Sequence, residues 1–189
     1  MAAEIKIGLV DPSRDLEAIT KIYNYYVTDT FVTFETVPLN YEEMGERIRK
    51  ISSKFPYLVA KINRKSVKNE EVSEEIVIGY SYANTFRARS AYDWTVETSI
   101  VLDKDYTGKG VGQLLYKELI KRLKVQGFVV AVAVITMPSN EPSVKFHEKL
   151  GFKIFGKSPK CGFKFDQWHD VWFLELRLNE PTIPPSKLW

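Results

Sequence analysis

Residues 128–137, FVVAVAVITM, form a run that is almost entirely apolar. A strand with one solvated face alternates apolar and polar residues, so an unbroken apolar run predicts a strand that is covered on both faces. Such a strand needs other elements packed on either side of its sheet. This requirement favours a fold in which helices cover a central sheet.

Strands and helices alternate along the remainder of the chain. Further strands are predicted at 4–10, 56–62, 75–83, 94–102, 152–157 and 169–178. Helices are predicted after Asp11-Pro12, from the Asn40/Glu43 capping pair to about Ile51, after the glycines of 108–112, and over 139–150. The charged segment 64–75 has few large apolar side chains and is predicted to be a solvated loop. The fold class is therefore α/β (α+β), with a mixed sheet and helices on its faces.

The composition is that of an ordinary soluble domain. The chain has 189 residues, of which 44% are hydrophobic and 27% charged, and this predicts one domain at 1–178 and a proline-rich tail at 179–189. A net charge of +3 gives no support for binding to nucleic acid, and no apolar run approaches the ~20 residues that cross a bilayer. The N-terminus lacks the apolar core of a signal peptide, so a cytoplasmic location is expected. One cysteine, Cys161, and two histidines predict no metal site.

Three glycines, Gly108, Gly110 and Gly112, precede the helical segment QLLYKELI. The spacing fits neither a P-loop, since Lys109 is followed by glycine, nor a dinucleotide fingerprint, since Gln113 stands where a third glycine is needed. Glycines still let backbone amides approach an anion, and a helix N-terminus adds partial positive charge. The segment predicts a phosphate site of another kind, and a turn without a ligand remains the alternative.

Several segments carry a resemblance to a known family. TGKGVGQLL resembles the acyl-CoA pyrophosphate loop of the GNAT acetyltransferases, Gln/Arg-x-x-Gly-x-Gly/Ala, and NEPSVKFHEKLGF resembles their fourth motif. YDWTVETSI, HEKLGF, GFKFDQWHDV and IYNYYVTDTFVTFE resemble the phosphinothricin and methionine-sulfone acetyltransferases within that family. Only the loop at 64–75 and the tail fall outside the resemblance. It implies a mostly antiparallel sheet that splays at the cofactor site, with helices on both faces.

The resemblance implies acetyl-CoA as the co-substrate and no metal. The pyrophosphate of acetyl-CoA would lie against the amides of the glycine loop, and its pantetheine arm against the preceding strand. The residues implied for this role are Ile100, Val101, Leu102, Gly108, Lys109, Gly110, Val111, Gly112, Gln113, Asn140 and Ser143. The family's Gln or Arg is replaced by Thr107. Because backbone amides make most of the phosphate contacts, cofactor binding is expected to survive this departure.

Amine acetylation needs a base for the attacking amine and benefits from an acid for the leaving thiolate. Glu97 lies within an apolar strand, where a carboxylate is costly unless it has a partner or a function. The resemblance implies that Glu97 is the general base, acting directly or through a water. His147 stands where many GNAT enzymes have a tyrosine that protonates coenzyme A, and histidine titrates near neutral pH. A surface-facing Glu97 and a His147 that only packs remain the structural alternatives.

The resemblance also implies the acceptor, a small α-amino acid with a tetrahedral polar side chain. Arginine suits the α-carboxylate of such a substrate because it pairs with carboxylates bidentately. The residues implied for acceptor binding are Phe34, Arg87, Arg89, Tyr92, Tyr116 and Thr136. The family usually has glycine at the position of Thr136, so a narrower pocket or a changed preference is expected. Solvated arginines and core packing of Phe34 and Tyr116 are the alternatives.

Two other classes of function remain open. A non-catalytic acyl-CoA-binding or regulatory module would be favoured by the loss of Glu97 and His147, and both are present. A protein or peptide N-acetyltransferase would need an open groove, often with an acidic lining, whereas arginines precede Glu97 here. His169 is expected to be structural or to line the substrate entrance. The resemblance further implies a homodimer, for which WHDVWFLEL at 168–176 offers apolar surface.

Overall fold

The computed structural model of the protein describes residues 4–65, 73–138 and 140–188. Within these ranges the chain forms seven strands, four α-helices and two short 3₁₀ turns. The strands are β1 (Ile5–Leu9), β2 (Tyr57–Lys65), β3 (Ser73–Thr85), β4 (Thr95–Leu102), β5 (Val130–Met137), β6 (Lys153–Lys164) and β7 (Gln167–Arg177). The helices are α1 (Pro12–Asp29), α2 (Tyr41–Ser52), α3 (Val111–Val125) and α4 (Glu141–Lys149), and the 3₁₀ turns are Ser90–Tyr92 and Lys104–Tyr106.

The strands form one mostly antiparallel sheet in the order β1-β2-β3-β4-β5-β7-β6. Strands β4 and β5 pair in parallel, and their register runs from Thr95↔Val130 to Thr98↔Ala133. Both strands continue beyond this register, β4 to Leu102 and β5 to Met137. The parallel ladder therefore uses only the first half of each strand. The predicted fold class, a mixed α/β fold with a mostly antiparallel sheet, is confirmed.

The apolar run at 128–137 is confirmed as a central strand. In β5 the buried positions occur consecutively rather than alternately, and Val134 is the exposed exception. β5 has β4 on one side and β7 on the other. A strand between two neighbours with both faces covered needs apolar side chains at successive positions, which explains the sequence pattern.

The prediction of a loop over 64–75 is wrong at both of its ends. Strands β2 and β3 extend into this segment, and Arg64 pairs with Glu74 while Asn63 pairs with Glu75. Opposite charges on directly paired residues stabilise an exposed hairpin without apolar side chains. The charged composition that suggested a loop is thus also compatible with strand ends. The centre of the predicted loop, 66–72, lies outside the described residues.

The hairpin of β6 and β7 is longer than predicted. The sequence indicated a strand at 152–157, whereas β6 runs from Lys153 to Lys164 and pairs with β7 up to Lys164↔Gln167. Register shifts between Ile154 and Gly156 and between Ser158 and Gly162 interrupt the pairing. Such bulges break the regular alternation of exposed and buried residues. This interruption explains why the pattern did not indicate a strand beyond residue 157.

Contacts divide the chain into two compact units, each built from three segments. The first comprises Met1–Tyr23, Leu39–Tyr82 and Ile100–Leu119, and the second comprises Asn24–Pro38, Ala83–Ser99 and Ile120–Trp189. The first unit has a core of β2 and β3 residues such as Leu58, Val59 and Ile78. The core of the second unit includes Ala131, Ala133 and Leu174 of β5 and β7.

The N-terminal ends of α1 and α2 are capped by side chains, as the sequence predicted. The Asp11 carboxylate accepts hydrogen bonds from the Ser13 amide and hydroxyl, at 3.0 and 2.6 Å. Asn40 and Glu43 form a reciprocal capping box, in which each side chain accepts from the other's backbone amide. These bonds satisfy amides that have no acceptor within the first turn of a helix. No helix of the described residues combines the length and the apolar character needed to span a membrane.

A buried ion pair joins α1 to β2 in the first unit. The Lys61 ammonium lies 2.6 Å from the Asp15 carboxylate, whose side chain is only 2% exposed. Asp15 also accepts a hydrogen bond from the Asp11 amide at 2.8 Å. A second acid, Glu75, lies 3.4 Å from Lys61. The pair therefore anchors the first turn of α1 to the sheet at a site where water reaches it poorly.

Replacing Asp15 by alanine should lower the free energy of unfolding by about 3 kcal/mol, because it leaves a half-paired, largely buried ammonium. The matched control is Glu17→Ala, which removes the acid of an exposed pair with Lys21 on the same helix. An exposed pair of this kind is worth less than about 1 kcal/mol. Urea denaturation of both variants would test the comparison, and equal losses would show that the Asp15–Lys61 pair does not anchor α1.

Candidate active site

The glycine loop ends directly at the start of α3 in the first unit. Gly108 and Gly110 have positive φ angles of 71° and 83°, a conformation that side chains with a Cβ rarely adopt. A Cβ at either glycine would meet nothing within 4 Å, so the backbone there borders open space. The loop thus offers a bare backbone beside a helix N-terminus, which suits a pyrophosphate.

Hydrogen bonds within α3 define which amides remain for an anion. The amides of Gln113 and Leu114 both donate to the Gly110 carbonyl, at 3.1 and 3.3 Å. The Gln113 amide, which the sequence had included among the phosphate donors, is therefore already used by the helix. The candidates are the amides from Gly108 to Gly112, in line with the general rule that the first amides of a helix have no acceptor within it.

Side chains before the glycines brace the loop. Asp103 caps the 3₁₀ turn by accepting from the Asp105 amide at 2.9 Å. The Thr107 hydroxyl donates to the Lys104 carbonyl at 3.0 Å. Thr107, the departure from the family pattern, therefore makes a contact internal to the loop. The Lys109 ammonium lies 5.1 Å from the centre of the Tyr106 ring.

The last residues of β4 approach β3 closely, and Gly79 makes this approach possible. A Cβ at Gly79 would lie 2.5 Å from Leu102 Cδ2 and 3.1 Å from the Val101 carbonyl oxygen. The Asp103 amide continues the contact by donating to the Ile78 carbonyl at 3.0 Å. Sequence reasoning missed Gly79, and its only signal was a glycine within an otherwise apolar strand. Ile100, Val101 and Leu102, the predicted cofactor residues of β4, are half-buried.

Glu97 lies in the second unit, on the first half of β4. It pairs with Val132 of β5 in the parallel ladder and is half-buried. Burial raises the pKa of the Glu97 carboxyl, and the positive charge of Arg87 partly opposes this shift. A carboxyl with a raised pKa accepts a proton more readily than an ordinary glutamate does, which is a requirement for a general base working near neutral pH.

The other predicted acceptor residues of the second unit occupy three different environments. Arg87, Arg89 and Tyr92 are exposed in the connection between β3 and β4, where the Tyr92 amide donates to the Arg89 carbonyl at 3.0 Å. Phe34 is exposed in the segment after α1. Thr136 is buried in β5, opposite Val171 of β7. Arg87 is near enough to Glu97 for its charge to affect the Glu97 pKa.

Tyr116 belongs to the first unit and lies in α3. Its relative exposure is 0%, which makes it one of the largest fully buried side chains of the protein. This burial favours the packing alternative over a role in lining the acceptor pocket. Its place in acceptor binding stays a prediction.

Asn140, Ser143 and His147 lie on or beside α4 in the second unit. Asn140 is the N-cap residue of α4, and its side chain makes no capping hydrogen bond. Its carbonyl instead accepts from the amides of Ser143 and Val144, at 3.0 and 3.3 Å. His147 Nδ1 lies 2.7 Å from the Ser143 carbonyl oxygen, and the imidazole packs edge-on against Phe152.

The environment of His147 bears on its predicted role as an acid. Burial lowers the pKa of His147, and the hydrogen bond to the Ser143 carbonyl opposes this only partly. A neutral imidazole that donates from Nδ1 carries no proton on Nε2. His147 would therefore have to take up a proton before it could give one away. Its role as the general acid stays a prediction under that condition.

The comparison with known protein families supplies the decisive observation. A family model described as an acetyltransferase (GNAT) domain matches residues 12–173. The chain belongs to the GNAT acetyltransferase family. As a GNAT acetyltransferase the protein is an enzyme, and the resemblance that the sequence motifs indicated is confirmed.

Relatives of this GNAT acetyltransferase match it over most of its length. The phosphinothricin N-acetyltransferase of Streptomyces viridochromogenes is 35% identical over 172 residues, 91% of this chain and 87% of the relative. The L-methionine sulfoximine/L-methionine sulfone acetyltransferase of Pseudomonas aeruginosa is 33% identical over 175 residues, 90% and 94% of the two chains. Among solved structures, the phosphinothricin acetyltransferase of Sinorhizobium meliloti in complex with AcCoA has a TM-score of 0.82 and 34% identity, covering 100% of this chain and 94% of that one.

Replacing Gly110 by valine should abolish acetyl-CoA binding by the GNAT loop without unfolding the protein. A Cβ at this position would meet nothing within 4 Å, but valine does not readily adopt a φ of 83°, so the loop must change conformation. A ligand that binds only the folded state at 100 times its Kd stabilises it by about 2.7 kcal/mol. Thermal unfolding with and without acetyl-CoA should show this stabilisation in the wild type and lose it in the variant.

Gly8→Val is the matched control for this experiment. Gly8 lies in β1 of the same unit, has open space around its Cα and has no positive φ. The control variant should keep the stabilisation by acetyl-CoA. A Gly110→Val variant that keeps it as well would show that acetyl-CoA does not bind at the glycine loop.

Proposed function

We propose that this GNAT enzyme transfers the acetyl group of acetyl-CoA to the α-amine of a small amino acid whose side chain ends in a tetrahedral polar group. Phosphinothricin, methionine sulfoximine and methionine sulfone are acceptors of this type. The amine attacks the thioester directly while both substrates are bound, and residues 1–178 act as one catalytic domain. The names and the extent of the matching relatives support this substrate class.

The proposal depends on the half-buried position of Glu97 in β4. Burial in β4 raises its pKa, so its carboxylate is a stronger base than that of a solvated glutamate. An acceptor amino acid arrives at neutral pH as an ammonium, which cannot attack a thioester. Glu97 removes one ammonium proton, directly or through a water, and the freed amine attacks the thioester carbonyl carbon. The thiolate of coenzyme A then leaves as the carbonyl re-forms, and it takes up the second proton, which the attacking nitrogen loses when it becomes an amide.

The two arginines before β4 are suited to bind the α-carboxylate of the acceptor. Arg87 and Arg89 are both exposed, and a guanidinium offers two parallel donors that match the two oxygens of a carboxylate. Tyr92 follows them in the same connection and is also exposed. In this assignment Arg89 and Tyr92 hold the α-carboxylate, and Arg87 interacts with Glu97. A lysine or peptide acceptor would not need this cluster of positive charge.

Ile100, Val101 and Leu102 bind the pantetheine arm, and the glycine-loop amides bind the pyrophosphate. One strand thus carries the base in its first half and the pantetheine contacts in its second half. Thr136 adds a hydroxyl and a methyl group at a buried position where glycine is usual in the family. We assign to Thr136 an effect on which acceptor side chain is preferred.

We also propose a homodimer that forms through β6 and β7. β6 is the last strand in the sheet order of the described residues. The hairpin exposes Phe155, Phe163, Phe165 and Trp168, which are each at least half exposed. Exposed aromatic side chains grouped on one hairpin are typical of an interaction surface. A second copy of this chain covers it in our proposal.

Light scattering at micromolar concentration should therefore give twice the chain mass of 21.8 kDa. Trp168→Glu should shift the protein towards the monomer, because a charge at an apolar interface is costly to bury. Phe155→Glu should do the same. A wild-type protein that is monomeric at this concentration would contradict the dimer.

Replacing Glu97 by glutamine should reduce the turnover number by about 10²–10⁴-fold, the usual contribution of general base catalysis. The affinity for acetyl-CoA should stay near that of the wild type, since the glycine loop is unchanged. The deficit should shrink as the pH rises, because more of the acceptor is already deprotonated. Rates of thiol release with phosphinothricin or methionine sulfone would be measured between about pH 6 and 9.5, which brackets the working range of such a base.

Thermal unfolding provides the control for this variant. Burial raises the pKa of Glu97, so the folded state favours the protonated carboxyl. The stability that depends on this carboxyl is therefore fully present below pH 4.5, its ordinary pKa, and is lost as the pH rises through the folded-state pKa. Glutamine is uncharged at every pH and avoids this loss. Glu97→Gln should therefore be at least as stable as the wild type at neutral pH. Near-wild-type turnover in a folded variant would show that the base lies elsewhere.

A further inference from the structure

Residues 30–38, which we call the acceptor loop, follow α1 and carry Phe34. This loop lies against the tip of the β6–β7 hairpin, and both belong to the second unit. Gly162, Lys164 and His169 of the hairpin contact the loop, and we call these three residues the hairpin seat. Gly162 and His169 are paired across the hairpin, and Lys164 is two residues after Gly162 on the same strand. All three therefore lie near one end of the hairpin.

Lys164 is buried to an unusual degree for a lysine, with a relative exposure of only 3%. Its ammonium donates to the Thr33 carbonyl in the acceptor loop at 2.8 Å and reaches the Tyr26 carbonyl at the end of α1 at 3.5 Å. Burial lowers the pKa of Lys164, and the negative charge of Glu35 in the acceptor loop opposes this. A buried cation that donates to the backbone of both α1 and the acceptor loop fixes the path of the chain between Tyr26 and Thr33.

His169 and Gly162 hold the two aromatic side chains of the acceptor loop. The imidazole of His169 stacks on Phe31 with ring centres 4.6 Å apart, and its Nε2 lies 3.1 Å from the Lys164 carbonyl oxygen. A Cβ at Gly162 would overlap the ring of Phe34. Phe34 can therefore take its observed position only because residue 162 has no side chain.

The turn beyond the seat is strained. Only Phe165 and Asp166 separate β6 from β7, and they have positive φ angles of 51° and 56°. This is the conformation of a type I′ turn, which asparagine and glycine usually occupy. A bulky residue with positive φ is an uncommon conformation that surrounding contacts must maintain. The Lys164 ammonium lies 4.9 Å from the centre of the Phe165 ring, so the same lysine contacts both the turn and the acceptor loop.

We propose that the hairpin seat sets the position of the acceptor loop, and that Lys164 is a positioning residue for acceptor binding. This inference rests on the proposed function, in which Phe34 contacts the acceptor. Lys164 does not touch the substrate in this account. It fixes the Thr33 carbonyl, and with it the neighbouring Phe34, while Gly162 provides the space that the Phe34 ring occupies.

The experiment compares two pairs of matched variants. Lys164→Met removes the ammonium and keeps a long side chain, and its control is Lys153→Met, on an exposed lysine of the same strand. Gly162→Ala places a Cβ in the space of Phe34. Its control is Gly156→Ala, also in β6, where a Cβ would lie 3.7 Å from Phe173 in ordinary contact.

Steady-state kinetics with phosphinothricin and methionine sulfone would be measured for all four variants. Lys164→Met should raise the KM for the acceptor by up to about 10-fold, because the lost hydrogen bond from a charged group holds the loop in position and does not itself contact the acceptor. Gly162→Ala should also raise it. Neither should change the KM for acetyl-CoA, and turnover at saturating acceptor should fall much less than the acceptor KM rises, as expected for lost binding. Both controls should match the wild type.

Hydrogen–deuterium exchange at residues 30–38 tests the contact without relying on activity. The amides of the acceptor loop should exchange faster in Lys164→Met and Gly162→Ala than in the two controls. Unchanged exchange in both variants would overturn the proposal, and so would equal kinetic losses in all four, which would indicate general weakening of the hairpin. A wild-type enzyme that acetylates neither acceptor would refute the proposed function and the role in acceptor binding with it, whereas faster exchange would still establish the seat.

Discussion

The parallel ladder between β4 and β5 ends after four residue pairs, and Glu97 is the third of the four β4 residues in it. The Thr98 hydroxyl donates to the Val132 carbonyl at 3.2 Å in a buried position, close to the last pair. Glu97 lies just before this point, where the two strands remain paired and the carboxyl is partly shielded from water. The later residues of β4 are not used in the ladder and lead into the glycine loop. A fully paired strand would offer fewer backbone groups to a ligand.

The elements that the sequence predicted well depend on contacts between residues close together in the chain. The Asn40–Glu43 capping box joins residues three apart, and the glycine loop requires only the backbone angles of Gly108 and Gly110. The apolar run of β5 directly predicts that the strand is buried on both faces. The hairpin ends at Arg64 and Glu74 were missed because their stabilisation is a cross-strand charge pair, and this looks like a solvated loop in a linear sequence.

The parts of the site that the sequence did not predict depend on contacts across the fold. Lys164 and Thr33 are 131 residues apart, and nothing in the letters around either residue indicates that they meet. Gly79 and Gly162 are glycines because of what lies opposite them, Leu102 in one case and Phe34 in the other. Asn140 matched a motif, but its side chain does not cap α4. The family resemblance implied which residues belong to the site. It did not imply the long-range contacts that position those residues.

The placement of Glu97 and Ile100 on one strand restricts how this protein can change in length. In an extended strand each residue advances about 3.3 Å, so the three-residue interval sets a separation of about 10 Å along the chain. Inserting or deleting a single residue would alter that separation and turn every later side chain to the other face of the sheet. Natural variation in this stretch should therefore occur by substitution alone, and gaps should be absent between these two positions. Under the proposed function, the spacing along β4 between Glu97 and Ile100 is thus fixed by the number of residues between them, which single substitutions leave unchanged.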